Sequence, residues 1–396
     1  MKSRRRPAFT TAIAWMARLV SAFSQFLAIR FLIQLLGVDQ YASLSIINSV
    51  SSWMALSDLG FGLALQNKLS QACTYPSKQK ITLFAGASLQ VLLVCTAVPL
   101  MVIAAQLGVV FIHPLDSIQG SYFYSALLLS NCIWATTGVL SVLYKELYGL
   151  DKGYVANIYL AVSSVATMTA SFVAVNIFNG EAINEIFAVL IYALPSLLVA
   201  VIAQLNSGLN VNVWANRRYL QRVIKAVFSS LLLRQAVKFF LVLLMWQFIL
   251  NSDYVVMSVL FGAEDIVSYK LIASLYLFVY SLCYAGLLTF WPRCSGLMKA
   301  GRFSDVEAGV RLNVFASWAL LAGFTAFIVV SRAGWSELLS GGQIDLPVKL
   351  IIAFSILFAV RIFVDAYGVV LSSVNETKLM VFYLPIQLGL SIFLQI

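Results

Sequence analysis

Apolar residues in this chain come in long runs, separated by short polar ones. Eleven runs are long enough to cross a hydrocarbon layer of ~30 Å at ~1.5 Å per helical residue. They fall at 9–36, 41–66, 81–107, 121–144, 154–178, 184–206, 231–261, 266–291, 311–331, 347–372 and 379–396. The longer ones imply tilt or extension beyond the bilayer. Hydrophobic residues make up 61% of the 396 and charged residues only 11%, against roughly 25% charged in soluble domains. The pattern predicts an all-α polytopic membrane protein with about eleven transmembrane helices.

Loop charge sets the expected orientation. Twenty of the 26 Lys and Arg lie on one side, in the N-terminus (Lys2, Arg4, Arg5, Arg6) and in alternate loops from Lys68 to Lys378. The opposite loops are acidic or neutral, with Asp39, Asp116, Glu181, Glu264 and Glu337. The positive-inside rule then places the N-terminus in the cytoplasm. The net charge of +10 therefore reads as topology, and no nucleic-acid partner is expected. The opposite loops reach about 16 residues at most, too few for a catalytic domain there. The MKSRRRP start resembles a signal peptide, but the apolar run after it is too long and carries Arg18 and Arg30. It reads as an uncleaved first span.

The chain repeats itself. LLGVDQYASLSIINS (35–49) aligns without gaps to LFGAEDIVSYKLIAS (260–274), placing Gly37 on Gly262 and Asp39 on Glu264. Span seven restates span one and eight restates two, so the halves are parallel repeats about an axis along the membrane normal. The expected division is a six-helix bundle over 1–210, a linker over 211–230 and a second bundle over 231–396. In the linker, Leu220, Val223, Ile224, Val227 and Leu231 follow helical spacing, with Arg218, Arg222 and Lys225 opposite. That pattern fits an amphipathic helix on the inner leaflet, or a basic loop that only fixes topology. Span eleven corresponds to span five, so either a twelfth helix, the counterpart to span six, is expected beyond this sequence, or the protein is an eleven-span variant.

One stretch stands out. Leu35 to Gln71 holds a polar turn at Gly37–Gln40, then a membrane-length run containing Asp58, Gly60 and Gly62, then Gln66-Asn67-Lys68. A carboxylate at membrane depth is costly and marks a functional site by default. The glycines allow close helix approach. The wording DLGFGLALQN, preceded by LG-x-x-x-Y, resembles the Wzx-type polysaccharide flippases, the O-antigen transporters of bacterial inner membranes. Their superfamily includes the lipid II flippase and the multidrug and toxin exporters. The resemblance is close over the first two spans and rests on hydropathy and loop charge beyond them. It implies two pseudo-symmetric bundles around a central cavity, with twelve or more spans.

No enzyme motif is present. There is no Walker loop, and the single histidine, His113, lacks a partner for nucleophilic or metal chemistry. Cys73, Cys95, Cys132, Cys283 and Cys294 form no C-x-x-C pair and read as small buried hydrophobes. No catalytic residue, metal or cofactor is expected. The informative residues are charges at membrane depth. Arg30 and Asp253 sit at similar depths on repeat-related spans. They either face the cavity as an exchangeable pair, with Arg30 freed for an anionic substrate, or form a permanent salt bridge. Arg18 either receives a diphosphate, whose oxygens a guanidinium binds bidentately, or snorkels to the headgroups. Arg361 and Asp365, four apart on span ten, share a face and can neutralise each other. Asp58 is either a coupling site for H⁺ or Na⁺ or a plain hydrogen-bonding group to the backbone of a neighbouring helix. Arg18, Arg30 and Arg361 are thus the substrate-binding candidates, and Asp58, Asp253 and Asp365 the coupling or gating candidates.

The resemblance implies translocation of an undecaprenyl-diphosphate-linked oligosaccharide from the cytoplasmic to the periplasmic leaflet by alternating access. Membrane lipids are partners; H⁺ or Na⁺, an O-antigen polymerase and a chain-length regulator are candidate ones. An ion-coupled drug exporter is one rival, disfavoured because deep basic and acidic residues match in number. A membrane glycan polymerase or glycosyltransferase is the other, disfavoured by the short outer loops.

Overall fold

A computed structural model describes residues 6–71, 76–111, 122–150, 152–178, 183–206 and 230–373. The linker and the last expected span, 379–396, lie outside them. Every regular element among the described residues is helical: α1 Arg6–Ser52, a 3-10 turn Trp53–Asp58, α2 Phe61–Gln71, α3 Pro76–Phe111, α4 Phe123–Leu140, α5 Val142–Gly149, α6 Gly153–Ile177, α7 Glu185–Asn206, α8 Ser230–Leu260, α9 Ala263–Lys299, α10 Phe303–Val330, α11 Arg332–Ser340 and α12 Val348–Ser373. Helices satisfy their own backbone polar groups, which hydrocarbon demands. Eight described segments are long and apolar enough to cross a membrane, and the first, Ile13–Asp58, is long enough to do so twice.

The turn expected after Leu36 is a kink inside α1, where Gly37 takes φ 73° and ψ 175°. Its repeat counterpart Gly262 lies in the break between α8 and α9. The second expected span differs from the sequence reading. It is not one continuous helix over 41–66, because it tightens into the 3-10 turn and breaks at Leu59 (φ 50°) and Gly60 (φ 75°) before α2 begins. The physical cause is Asp58, whose side chain competes for backbone N–H groups as described below. On the side opposite the basic loops, the short helix α11 ends at Gly341 in the left-handed conformation, a common helix stop. The following strap is fastened by Ser336 Oγ–H to the Ile344 carbonyl (2.6 Å) and Ile344 N–H to Ser340 Oγ (3.1 Å).

Two groups of contacts join the helices before residue 207 to those after 229. α1 packs on α8, α9 and α11, and the 3-10 turn and α2 pack on α8. Gln247 of α8 donates to the Ser52 carbonyl (3.1 Å), and Ser49 Oγ donates to the Asn251 carbonyl (3.4 Å). One apolar cluster runs across both sets, from Leu32, Ile33 and Ile47 through Leu127 and Val189 to Ile266, Tyr276, Leu339 and Phe354. Toward the basic loops two smaller clusters follow. Leu65, Leu89, Val139 and Val142 of the first set pack with Ala236 of α8, while Leu287, Val306, Val310 and Val369 pack within the second set.

The two sets come into close contact at Gly60. A Cβ there would lie 2.4 Å from the Ala236 carbonyl oxygen and 2.6 Å from Phe240 N. Gly37 has nothing within 4 Å of that position. Gly37→Ala is therefore expected to cost only backbone strain, about 1–3 kcal/mol in this glycine-only region, and Gly60→Ala more, because overpacking of about 1–3 kcal/mol adds to its own strain. Thermal unfolding of the two variants in the same detergent checks this; equal losses would contradict it.

Candidate functional site

Arg18 on α1 donates from Nη1 to the Ser281 carbonyl of α9, so a charge from the first span is seated on the opposite set of helices. Tyr148, Tyr284 and Tyr280 lie within its electrostatic reach. Tyr284 is also within reach of Asp365 and Arg361 on α12. Arg361 Nε lies 3.8 Å from Asp365 Oδ2, with both side chains largely buried at 14% and 11% exposure. Its guanidinium sits over the Tyr280 ring at 4.2 Å and near Phe358 at 5.6 Å. The Tyr280 hydroxyl donates to Asp365 Oδ2 at 2.5 Å, and its ring stacks on Tyr284. The i, i+4 pair expected from sequence is present. Tyr148, Tyr280 and Tyr284 were missed, because nothing in a single helix's spacing reveals which rings a neighbouring helix presents.

Arg30 lies on the other side of the shared apolar cluster. With Gln34 it lines a cavity of about 310 Å³, closed by Glu337, Ser340, Gly341 and Gln343 from α11 and its strap. Asp253 on α8 accepts a hydrogen bond from the Tyr269 hydroxyl. Tyr269 packs edge-on to Tyr254, and Lys270 sits 5.2 Å from the Tyr254 ring centre. The arginine of the expected Arg30–Asp253 couple thus faces an acidic strap, and the aspartate a tyrosine cluster.

Asp58 is buried at 6% exposure. Its Oδ1 accepts from Gly60 N–H (2.9 Å) and its Oδ2 from Gly62 N–H (3.2 Å). It therefore caps α2, whose first N–H groups have no helical partner. Lys145 of α5 is close enough to act on it electrostatically. Gly62 leaves room for this meeting, since a Cβ there would stand 2.6 Å from Asp58 Oδ2 and 3.1 Å from Lys145 Cγ. The preceding Ser57 donates to the Ala135 carbonyl of α4 at 2.6 Å. The backbone Asp58 bonds is its own, at the start of the helix that follows it, and not that of a neighbouring helix packed from elsewhere in the chain. Lys145 was missed because it read as a loop charge; Asp-x-Gly-x-Gly was the signal available for the cap.

No family model matches the chain. Over 393 residues it is 26% identical to a protein of Yersinia pseudotuberculosis named for O-antigen export, covering 97% of this chain and 87% of that one. Over 388 residues it is 24% identical to a protein of Salmonella typhi named as an O-antigen transporter, covering 95% and 85%. Among solved structures it resembles an outward-facing multidrug resistance MATE family transporter of the MOP superfamily, with TM-score 0.62 and 11% identity over 95% of this chain and 84% of that one. An inward-facing MATE transporter of the MOP superfamily gives TM-score 0.54 at 11% identity, covering 95% and 89%. The chain is an all-α polytopic membrane protein with the MATE-like fold, and it resembles curated proteins named for O-antigen export along most of its length.

The α9–α12 site joins two guanidinium groups, one carboxylate and stacked tyrosine rings. Guanidinium forks suit phosphate oxygens, and aromatic faces suit the apolar faces of sugars. Because the Arg361–Asp365 pair is mostly buried, removing one partner strands the other charge. Asp365→Leu and Arg361→Met alone are each expected to cost about 3 kcal/mol, and the double variant less than either. Denaturation of the three variants measures this; simple additivity would contradict it.

Proposed function

We propose that this protein is a flippase for an oligosaccharide carried on a polyprenyl diphosphate, undecaprenyl diphosphate in bacteria. It would move the head group from the cytoplasmic to the periplasmic leaflet of the inner membrane, with the chain's N-terminus in the cytoplasm. The observation that carries this reading is the similarity to proteins named for O-antigen export along 97% of the chain, on a fold shared with membrane transporters. The seam chemistry supports it. A diphosphate and sugars do not cross hydrocarbon unaided, while the lipid tail does not need to leave it. Arg18 and Arg361 supply positive charge where the two sets of helices meet, and Tyr148, Tyr280 and Tyr284 supply ring faces beside it. The residues before 207 and after 229 act as two bundles that rock about the α1–α9 and α2–α8 contacts. In that cycle Arg18 receives the diphosphate and exchanges its Ser281 contact for phosphate oxygens. Asp365 holds Arg361 in place until an anion competes for it. Arg30 and Asp253 act at the opposite end of the path, with Arg30 meeting the anion against Glu337. Asp58 holds the α2 break rather than a coupling ion.

Transport without covalent chemistry fits the names of the relatives and the balance of buried charges. Arg18→Ala is expected to lower surface glycan about tenfold to a hundredfold in a strain lacking its own flippase, the equivalent of ~1.5–3 kcal/mol of charge-assisted bonding. Arg18→Lys should recover part, since Lys keeps the charge but not the fork. Glycan is measured by blotting of whole-cell polysaccharide at matched protein levels. Undiminished glycan in Arg18→Ala would remove this site from the mechanism. Glycan elongation by the purified wild-type protein would replace the flippase with a polymerase.

A further inference from the structure

Glu146 on α5 has 1% exposure, less than the other buried carboxyl groups described, Asp58 and Glu185. Its surroundings differ from those of every deep carboxylate above. Asp58 accepts two backbone N–H groups, Asp365 has Tyr280 and Arg361, and Asp253 has Tyr269. Among the described residues neither oxygen of Glu146 has a hydrogen-bond partner, and no charged group acts on it. Its titratable neighbours on α5 are directed elsewhere. Lys145 acts on Asp58, Tyr144 stacks on Tyr159, and Tyr148 donates to Asn157 at 3.0 Å.

The facing surface is the backbone of α3. A Cβ on Gly86 would lie 1.8 Å from Glu146 Oε1, with Leu65 Cδ1 of α2 at 3.5 Å. One turn further along the same face of α3 is Gln90, 4% exposed. Its Oε1 accepts from Gln204 of α7 at 2.7 Å, while its Nε2 has no partner among the described residues. A metal ion needs several oxygen ligands. Among the described residues a glycine and a leucine face Glu146, and no group of three or more metal-ligating side chains occurs. An ionised carboxylate without a partner is far costlier to enclose than a neutral carboxyl. The one species small enough to neutralise this group in place is a proton.

We propose that Glu146 is a proton-binding site, and that its protonation holds α5 against α3. Loss of the proton puts an unpaired charge between the two helices and drives them apart. α5 is set off from α4 at Ser141, and it also carries Lys145 to Asp58 and Tyr148 to Arg18. A proton at Glu146 is thereby linked to the α2 cap and to the seam. The site does not depend on what the protein carries.

Two measurements on the full chain in lipid vesicles test this. In infrared spectra at neutral pH, wild type should show a protonated-carboxyl C=O band that Glu146→Gln lacks. An identical band in both, or loss of ionised-carboxylate absorbance in the variant instead, overturns the proposal. Should Glu146→Gln not fold, ¹³C-glutamate labelling in a Glu185→Gln background reads the same band, and a band that does not move overturns it. In hydrogen–deuterium exchange corrected for intrinsic rate, amides of α3 and α5 should exchange several-fold faster in wild type as pH rises, and stay level in Glu146→Gln. An equal rise in both overturns the link between proton and helix contact.

Discussion

A charge inside hydrocarbon has to be enclosed between helices, and the placement of this chain's deep charges follows from that cost. Each is housed where elements meet. Arg18 reaches from α1 to α9, Arg361 and Asp365 neutralise each other under the ring of Tyr280, and Asp58 is bound by its own backbone beside Lys145. None of these arrangements is strong in isolation, since desolvation offsets most of what pairing returns. Their effect is positional. Arg18 and the Arg361–Asp365 pair put charge beside the contact between the two sets of helices, where the proposed function needs a polar route.

Close packing along that contact depends on small residues. Gly60 lets α2 approach the backbone of α8, and within the first set Gly138 lets α4 approach Ser57, Met54 and Ala55 of the 3-10 turn. The helices pair crosswise, the first span with the eighth and the second with the seventh, as a parallel repeat related by an axis along the membrane normal would arrange them. The repeat is not complete in detail. The Asp58 break in the second span has no equivalent in α9, which runs unbroken from Ala263 to Lys299. The first set therefore carries a jointed region, from the 3-10 turn through α2 and α5, where the second carries a straight helix.

Much of this was legible in the sequence. Apolar runs of membrane length located the helices, because hydrocarbon leaves the backbone no alternative. The Gly37–Gly262 correspondence marked both helix breaks, and the spacing of Arg361 and Asp365 announced their pairing. The break at Leu59–Gly60 was hidden, because apolar composition continues through it and only the Asp58 side chain redirects the backbone. Lys145 and Glu146 were hidden for a related reason. Both stand just past an apolar run, where Lys145 reads as a loop charge and Glu146 carries no signal, and only packing against α2 and α3 shows that they are enclosed. The tyrosines around Arg18 depend on contacts between helices far apart in sequence, which periodicity along one helix does not encode.

The central claim is that the two sets of helices must part for cargo to pass between them. Gln34 on α1 and Gln343 on the strap after α11 line the same cavity, so a short bis-maleimide joining cysteines at these positions, in a chain freed of its own five cysteines, would hold the sets together there. Translocation of lipid-linked glycan in vesicles should stop on cross-linking and persist when each single-cysteine variant is treated alike. Full translocation by the cross-linked protein would contradict the account.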